Sequence, residues 1–404
     1  MPGTDTRTTV PSLECCLGRA TLARVLAVAG VGIARRPAAP HLGGVLLDGH
    51  DGDLALTTTD QGAYVSVRVP GGARRSGRLL IHHGEATKML AAVTKGARKR
   101  EADNLAAAVR RRGDTAVLEI GGFTVPITTY PANDFPAPPQ SPPIIAEVDR
   151  ERLTTSARRV LVATGTDKRF PMLTGIHLRS TSGALTLAGT DRYRLAVATL
   201  AANTTSSEHT ALFPARLLSS TLRHCTAPRV RLGHGHTSSG NWVSLTCGDL
   251  TVVARPVTAE FPDYEQLFPN ATITARTDRN ALSQATTRAT AILAAKKPTP
   301  RASHRLPTDG RVMVAVDPCG SISITPVLDQ DTDAVTAPAY PAEVDGTHDI
   351  VRVLFRAQYL RDALTTLDGD TVTVDIASPT RPILLTGVDR CAYRHLLMPH
   401  RPPA

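Results

Sequence analysis

Two histidine pairs, His82-His83 and His234-Gly-His236, and an aspartate that recurs after threonine, at Thr59-Asp60 and Thr190-Asp191, have the types and spacing that invite chemistry. Two nearby imidazoles can share a metal, but a zinc site needs further ligands at a recognised spacing, and none accompanies either pair. His234 and His236 read instead as polar residues of a Gly/Ser-rich loop ending at Asn241. Paired carboxylates can divide acid and base roles. Asp60 and Asp191, however, hold the same position in two copies of a repeat, so they should lie a domain apart, and a turn role is expected. The cysteines (Cys15, Cys16, Cys225, Cys247, Cys319, Cys391) form no CxxC pair and read as reduced thiols. A phosphate loop GxxxxGK[ST], a GxGxxG fingerprint, HExxH and a GxSxG elbow are all missing from the sequence. No catalytic residue, metal site or cofactor is expected.

The elements that carry these residues repeat. His41–Val69 aligns without a gap on Met172–Leu200, with identities Leu42/Leu173, Gly44/Gly175, Leu47/Leu178, Gly52/Gly183, Leu54/Leu185, Leu56/Leu187, Thr59/Thr190 and Asp60/Asp191. Each copy reads as strand, turn, strand, turn, strand, since its apolar residues alternate and glycine falls where the chain must reverse. A third copy shows in the alternation of Val312, Val314 and Val316, then Gly320, Ile322 and Ile324. Strand pairs at 116–120/123–127, 242–247/250–254 and 372–376/383–386 close the repeats. First helices are expected over 12–29, 149–163 and 278–295, and second helices over 85–94, 214–225 and 356–367. The Pro-rich run 131–143 reads as a linker. The expected fold is α+β in three repeated domains, 1–145, 146–268 and 269–404, each with two helices packed on antiparallel sheets.

The 404-residue chain has a formal net charge of +10, which favours an anionic partner such as nucleic acid. Only six of its 46 basic residues are lysine, so genome composition contributes to that number. Cations nevertheless recur on and just after the helices: Arg19, Arg24, Arg36, Lys88, Arg150, Arg152, Lys168, Arg169, Arg216, Arg223, Arg279, Lys296 and Lys297. Solvated helix faces and phosphate contact both fit them. Phosphate contact would be independent of sequence and sensitive to salt, and the low aromatic content argues for duplex backbone over stacked single strands. The clusters Arg98-Lys99-Arg100 and Arg110-Arg111-Arg112 fit a solvated loop between strands at least as well as contact with nucleic acid. Residues 1–10 lack the apolar stretch of a signal peptide, and the run 25–34 is too short to span a bilayer. A cytoplasmic protein with no membrane partner is expected.

Phe170-Pro-Met-Leu-Thr-Gly-Ile176, Thr190-Asp-Arg-Tyr-Arg-Leu-Ala-Val197, Glu260-Phe-Pro-Asp-Tyr264, Gln358-Tyr-Leu360 and Leu396-Leu-Met-Pro399 occur in that order. Together with the triple repeat, they make the chain resemble the β sliding clamp of bacterial DNA polymerase III, in its high-GC Gram-positive type. The resemblance implies a head-to-tail homodimer closed as a ring around double-stranded DNA. It implies a processivity factor without its own active site, placed on DNA by a clamp loader and tethering the polymerase III catalytic subunit and other proteins with clamp-binding motifs. It also implies a peptide groove between the second and third domains. Its walls would be Met172, Leu173, Thr190, Arg192, Tyr193, Arg194 and Leu195, then Pro262, Gln266 and Leu267, then Leu396, Leu397, Met398, Pro399, His400 and Arg401. Leu, Met and Pro would make an apolar slot for an extended peptide, with Arg and Tyr as polar anchors.

The sequence departs from the family in three places. Gln266 stands where the family commonly has a nearby Arg. The end reads His400-Arg401-Pro402-Pro403-Ala404 instead of an apolar residue and Arg-Leu. The net charge is positive where members are acidic. These changes keep open a divergent second clamp, either a self-resistance copy against a clamp-binding antibiotic or one serving specialised repair polymerases. A DNA-binding protein without ring closure and a metal-dependent enzyme using His234 and His236 are the remaining alternatives.

Overall fold

The computed structural model describes residues 13–113, 115–296, 310–328 and 335–400. Repeat one runs β1 (Glu14–Gly18), α1 (Arg19–Ala29), β2 (Gly44–His50), β3 (Asp53–Thr59), β4 (Ala63–Val69), β5 (Ala73–Arg75), β6 (Gly77–His82), α2 (His83–Val93), α3 (Lys99–Asp103), β7 (Ala106–Arg112), β8 (Thr115–Ile120), β9 (Phe123–Ile127) and β10 (Thr129–Tyr130). Repeat two runs β11 (Ile144–Asp149), α4 (Arg150–Leu161), β12 (Gly175–Thr181), β13 (Ala184–Thr190), β14 (Arg194–Ala201), β15 (Asn203–Thr204), β16 (His209–Pro214), α5 (Ala215–Leu222), β17 (Arg229–Thr237), β18 (Gly240–Cys247) and β19 (Leu250–Ala254). Repeat three runs β20 (Ile273–Asp278), α6 (Arg279–Ala295), β21 (Arg311–Asp317), β22 (Ser321–Val327), β23 (Ala339–Asp345), β24 (Val351–Arg356), α7 (Ala357–Thr366), β25 (Thr371–Ile376), β26 (Ile383–Thr386) and β27 (Tyr393–Leu397).

The hairpin at the centre of each repeat is one structure three times. Gly52, Gly183 and Gly320 turn it at φ of 85°, 78° and 91°, a left-handed conformation that glycine adopts without a Cβ clash. The same apolar pair then faces across each hairpin: Leu47 with Leu56, Leu178 with Leu187, Val314 with Ile324. All six side chains are buried. Period-2 alternation puts these residues on one face, and that face becomes the core.

Contacts divide the described chain into two compact units, 1–150 with 217–256, and 151–216 with 257–404. The first holds the sheet β5-β1-β7-β8-β9 and the strand run β10-β6-β2-β3-β4-β19-β18-β17-β11. The second holds one twelve-stranded sheet, β16-β12-β13-β14-β27-β26-β25-β20-β23-β22-β21-β24. Sheets therefore continue from repeat to repeat: β4 of repeat one pairs antiparallel with β19 of repeat two, and β14 of repeat two with β27 of repeat three. The cut falls inside repeat two because each half of that repeat shares a sheet with a different neighbour.

Two expectations are corrected. The first helices begin at Arg19, Arg150 and Arg279, each directly after a strand, and residue 14 belongs to β1, not to a helix. Leu13 and Cys15 are buried at period 2 between β5 and β7, so tertiary pairing overrides the helical reading. His234 and His236 are not in a loop. They lie on β17, opposite Val243 and Asn241 of β18, because the ladder continues to a turn between Thr237 and Gly240. Among the described residues no group of three His, Cys, Asp or Glu side chains could hold a metal, and no helix is long and apolar enough to cross a membrane.

Candidate functional site

Thr59-Asp60 and Thr190-Asp191 build the same turn. Asp60 Oδ1 accepts from the Gly62 and Ala63 amides, at 3.0 and 2.8 Å, and Asp191 Oδ1 accepts from the Tyr193 and Arg194 amides, both at 3.0 Å. The threonine hydroxyl accepts from the second residue beyond it and donates to the carbonyl of the fourth in both copies. The central residues, Gln61 and Arg192, stand at φ of 72° and 79°, a left-handed geometry held here by the surrounding hydrogen bonds. In repeat one the turn carries Gln61, Gly62 and Ala63. In repeat two it carries Arg192, Tyr193 and Arg194, of which Tyr193 and Arg194 meet α7 of repeat three.

Arg194 is 12% exposed and lies between two carboxylates, donating to Asp191 at 2.9 Å and to Asp362 at 2.7 Å. Its guanidinium sits 4.4 Å from the centre of the Tyr359 ring. Arg356 lies 5.0 Å from the Tyr193 ring and 5.4 Å from the Tyr359 ring, and donates to the Tyr359 hydroxyl at 3.2 Å. Arg192 is exposed and rests over Phe170 at 4.3 Å. Cations over aromatic faces gain from the ring quadrupole, which helps to hold these side chains in place. The result is a rim of alternating rings and guanidinium groups.

The floor is apolar. Leu173, Thr190, Leu195, Leu396 and Leu397 are buried, and Leu195 and Leu396 share a cluster with Ala188, Val197 and Tyr264. Met172 and Pro399 are half-buried, and Tyr193, Met398, His400, Pro262, Gln266 and Leu267 are exposed. The segment 261–268 is held by Phe261, which stacks on His177 at 4.9 Å, and by Tyr264, edge-on to both rings. Gln266 turns its amide to the Asp263 carbonyl at 3.2 Å. The chain end is tied down twice: the Met398 amide donates to the Tyr193 carbonyl at 2.8 Å, and the His400 amide to the Leu354 carbonyl at 2.7 Å. The expected groove residues from all three stretches thus fall in one compact unit, while Arg401 lies outside the described residues.

Beneath the rim, His395 is wholly buried on β27. Its Nδ1 meets the Tyr393 hydroxyl at 2.8 Å, and that hydroxyl also donates toward Thr366 Oγ1 at 2.9 Å. Burial, and then the Arg194 charge, push the imidazole down to about 3, so it is neutral at physiological pH. Burial also raises the Tyr393 phenol.

The recurrent arginines divide into two groups. Arg19, Arg150 and Arg279 each open a first helix, and their amides donate to Leu105, Pro228 and Asp370, the residues just before β7, β17 and β25, at 2.7, 2.9 and 2.7 Å. A helix start has amides without intrahelical partners, and this carbonyl supplies one each time. The Arg19 guanidinium is engaged by Asp103 and Thr94, and that of Arg279 by the carbonyls of Gly369 and Leu364. Arg169 is exposed but forked onto Asp167, whose carboxyl it holds at about 2. Arg24, Arg36, Lys88, Arg152, Lys168, Arg216, Arg223 and Lys296 are exposed. Lys297 lies outside the described residues.

Comparison with known proteins places this geometry. Residues 147–263 match the family model described as DNA polymerase III beta subunit, central domain. The beta sliding clamp of Streptomyces coelicolor is 26% identical, covering 95% of this chain and 98% of that one. The beta sliding clamp homolog GriR of Streptomyces muensis is 24% identical over the same shares. The solved sliding clamp of Pseudomonas aeruginosa bound to griselimycin superposes with a TM-score of 0.81 at 22% identity, covering 97% of this chain and all of that one. Residues 147–263 thus match the beta subunit family, and the chain is similar to beta sliding clamps over nearly its whole length. The sequence alone gave no rim role to Phe170, Asp362, Arg356 or Tyr359. Asp362 and Arg194 are 168 positions apart, and no periodicity links them. The sequence signal for the partner side was the short run Gln358-Tyr359-Leu360.

Proposed function

We propose that two copies of this chain close head to tail into a ring around duplex DNA and act as a processivity factor. In this reading the domains are 1–145, 146–268 and 269–404. The groove holds clamp-binding peptides of DNA polymerase III and other replication or repair proteins. A clamp loader opens the ring, and the chain has no active site of its own. Arg24, Arg36, Lys88, Arg152, Lys168, Arg216, Arg223 and Lys296 face the phosphates, which they contact without reading sequence.

The edge strand β9 carries the ring reading. Its counterparts in the later repeats are β19 and β27, the latter at 393–397 and not at 383–386 as the sequence suggested, and they pair with the third strand of the preceding repeat, β4 and β14. Among the described residues β9 pairs only with β8 and ends its sheet, leaving Phe123 60% exposed. An unpaired edge with an exposed ring favours pairing with another chain, and a heterologous contact that closes after two copies makes a ring. The test is loading onto nicked circular DNA with a clamp loader, followed by gel filtration before and after cutting the circle. Retention should vanish on linearisation. Retention that ignores circularity overturns the ring.

A second reading is a divergent clamp whose groove evades a clamp-binding antibiotic. Gln266, with its amide turned to its own backbone, and the tied-down His400 favour it. Titration with a clamp-binding peptide and with a groove-directed cyclic peptide separates the two: equal, tight binding of both removes the resistance reading.

A further inference from the structure

Repeat one carries a connection that the other repeats lack. Residues 94–105 join α2 to β7, whereas 223–228 join α5 to β17 and 367–370 join α7 to β25. The additional chain forms α3 and holds four cations, Lys95, Arg98, Lys99 and Arg100, all exposed. The shorter connections hold only Arg223 among Lys and Arg.

Among the described residues none of the four cations is paired with a carboxylate, although other surface arginines have found one, as Arg68 has Asp53 and Arg179 has Glu208. Asp103, inside the same segment, is held by Arg19 at 2.9 Å, and the second Arg19 nitrogen donates to Thr94 at 3.3 Å. Arg19 therefore pins both ends of the insert beside the start of α1 and leaves its middle cationic. Like charges this close repel and destabilise the free protein, a cost that a polyanion relieves by displacing condensed counterions. Lys88, exposed on α2, continues the charge from the helix into the insert. The insert and β7 hold no aromatic residue on which a base could stack.

We infer that the insert at 94–105 is a second nucleic-acid contact, specific to repeat one, that grips duplex phosphates beyond the end of α2. It rests on the duplex-encircling reading above and adds a fixed grip at one site to a surface that otherwise only slides.

The experiment measures the affinity of the full chain for a short linear duplex by fluorescence anisotropy across salt concentration. Each phosphate contact contributes about 0.9 to the slope of log K against log salt. The R98Q/K99Q/R100Q variant should lower that slope by about 2 to 3, whereas R98K/R100K, which keeps the charge, should leave it unchanged. An unchanged slope in the triple variant overturns the inference and leaves the insert to solvent or an acidic protein. Loss of slope in the lysine variant overturns it too, because a phosphate contact needs only the charge. If the triple variant melts early, R98Q and R100Q carry the test singly, each with a slope change of about 0.9. Trapping on nicked circles is followed in parallel. A triple variant that is trapped normally with an unchanged slope sinks the insert and spares the ring. A parent chain that is never trapped sinks the ring itself.

Discussion

Arg192 and Arg194 stand two residues apart in one turn and serve different ends. Arg194 is enclosed by Asp191, Asp362 and Tyr359, so it orders the rim and offers little to a ligand. Arg192 is exposed over Phe170 and is available to a peptide. Arg194→Ala would leave two carboxylates facing each other without their shared cation. Fully buried pairs cost about 3–5 kcal/mol when broken. Here partial exposure of Asp362 screens the loss, and about 2 kcal/mol is expected in thermal or denaturant unfolding. Arg194→Lys should recover part of this but not the bidentate geometry. Equal stability of R194A and the parent chain would refute the enclosed-cation account. Arg192→Ala should cost only the exposed contact with Phe170, about 0.5–1 kcal/mol, and weaken peptide binding, read by calorimetry.

His395 adds a pH dependence with a definite sign. Its folded value, about 3, lies below the ordinary histidine value of 6.5. The unfolded chain therefore takes up a proton that the folded chain refuses. Stability from this group is complete above about pH 6.5 and falls as pH drops toward 3, at up to about 1.4 kcal/mol per pH unit. Melting of His395→Gln should lose this component between pH 7 and 5. A pH-independent difference between the two proteins would show that His395 is not the group that titrates.

At the scale of elements, the strands were legible where both neighbours were local. The hairpins β2–β3, β12–β13 and β21–β22 announce themselves by alternation and by glycine at the turn. β1, β11 and β20 do not, because each is a strand only by virtue of partners far along the chain, such as β7 for β1 and β17 for β11. The same logic leaves β9 with a single partner among the described residues. Gly121-Gly122, at φ of 57° and 82°, gives β8–β9 a tight turn with positive φ at both central residues, so the edge is well formed in the monomer. Phe123→Asp should thus weaken self-association at least tenfold by sedimentation while the melting of the separated chain stays within a few degrees. If association is unaffected, β9 is not the edge that meets a second copy.

Helix capping makes a parallel case. Asp278, read from sequence as the first residue of a helix, is its N-cap, accepting from the Ala281 amide at 2.5 Å. Asp278→Ala should cost about 1 kcal/mol in chemical denaturation, whereas a mid-helix surface residue would cost much less.

For the whole molecule, the pattern of pairing matters more than any repeat alone. Repeat two contributes one sheet to each neighbour, so the turn of repeat two, the segment 261–268 and the last strand of repeat three, which would form the proposed groove, fall in one compact unit. Binding of a clamp-motif peptide there should protect the amides of 193 and 398 from hydrogen exchange together, because the Met398 amide donates to the Tyr193 carbonyl and the Tyr193 amide donates to Asp191 Oδ1 in the turn that carries that carbonyl. Protection of one without the other would place the peptide elsewhere.

The sequence by itself determined the threefold unit, its central hairpins and the Thr-Asp turn. Each of these rests on local rules: period-2 burial, glycine at positive φ, and side chains that bond the next few amides. Only the tertiary structure decided which arginines are engaged. Arg19 and Arg279 recur in the sequence as phosphate candidates would, yet their guanidinium groups hold loops inside their own repeats, while the four cations of the unrepeated insert remain unpaired. A charge's availability depends on which acids and carbonyls the fold brings within 3 or 4 Å, and no spacing along the chain carries that distance.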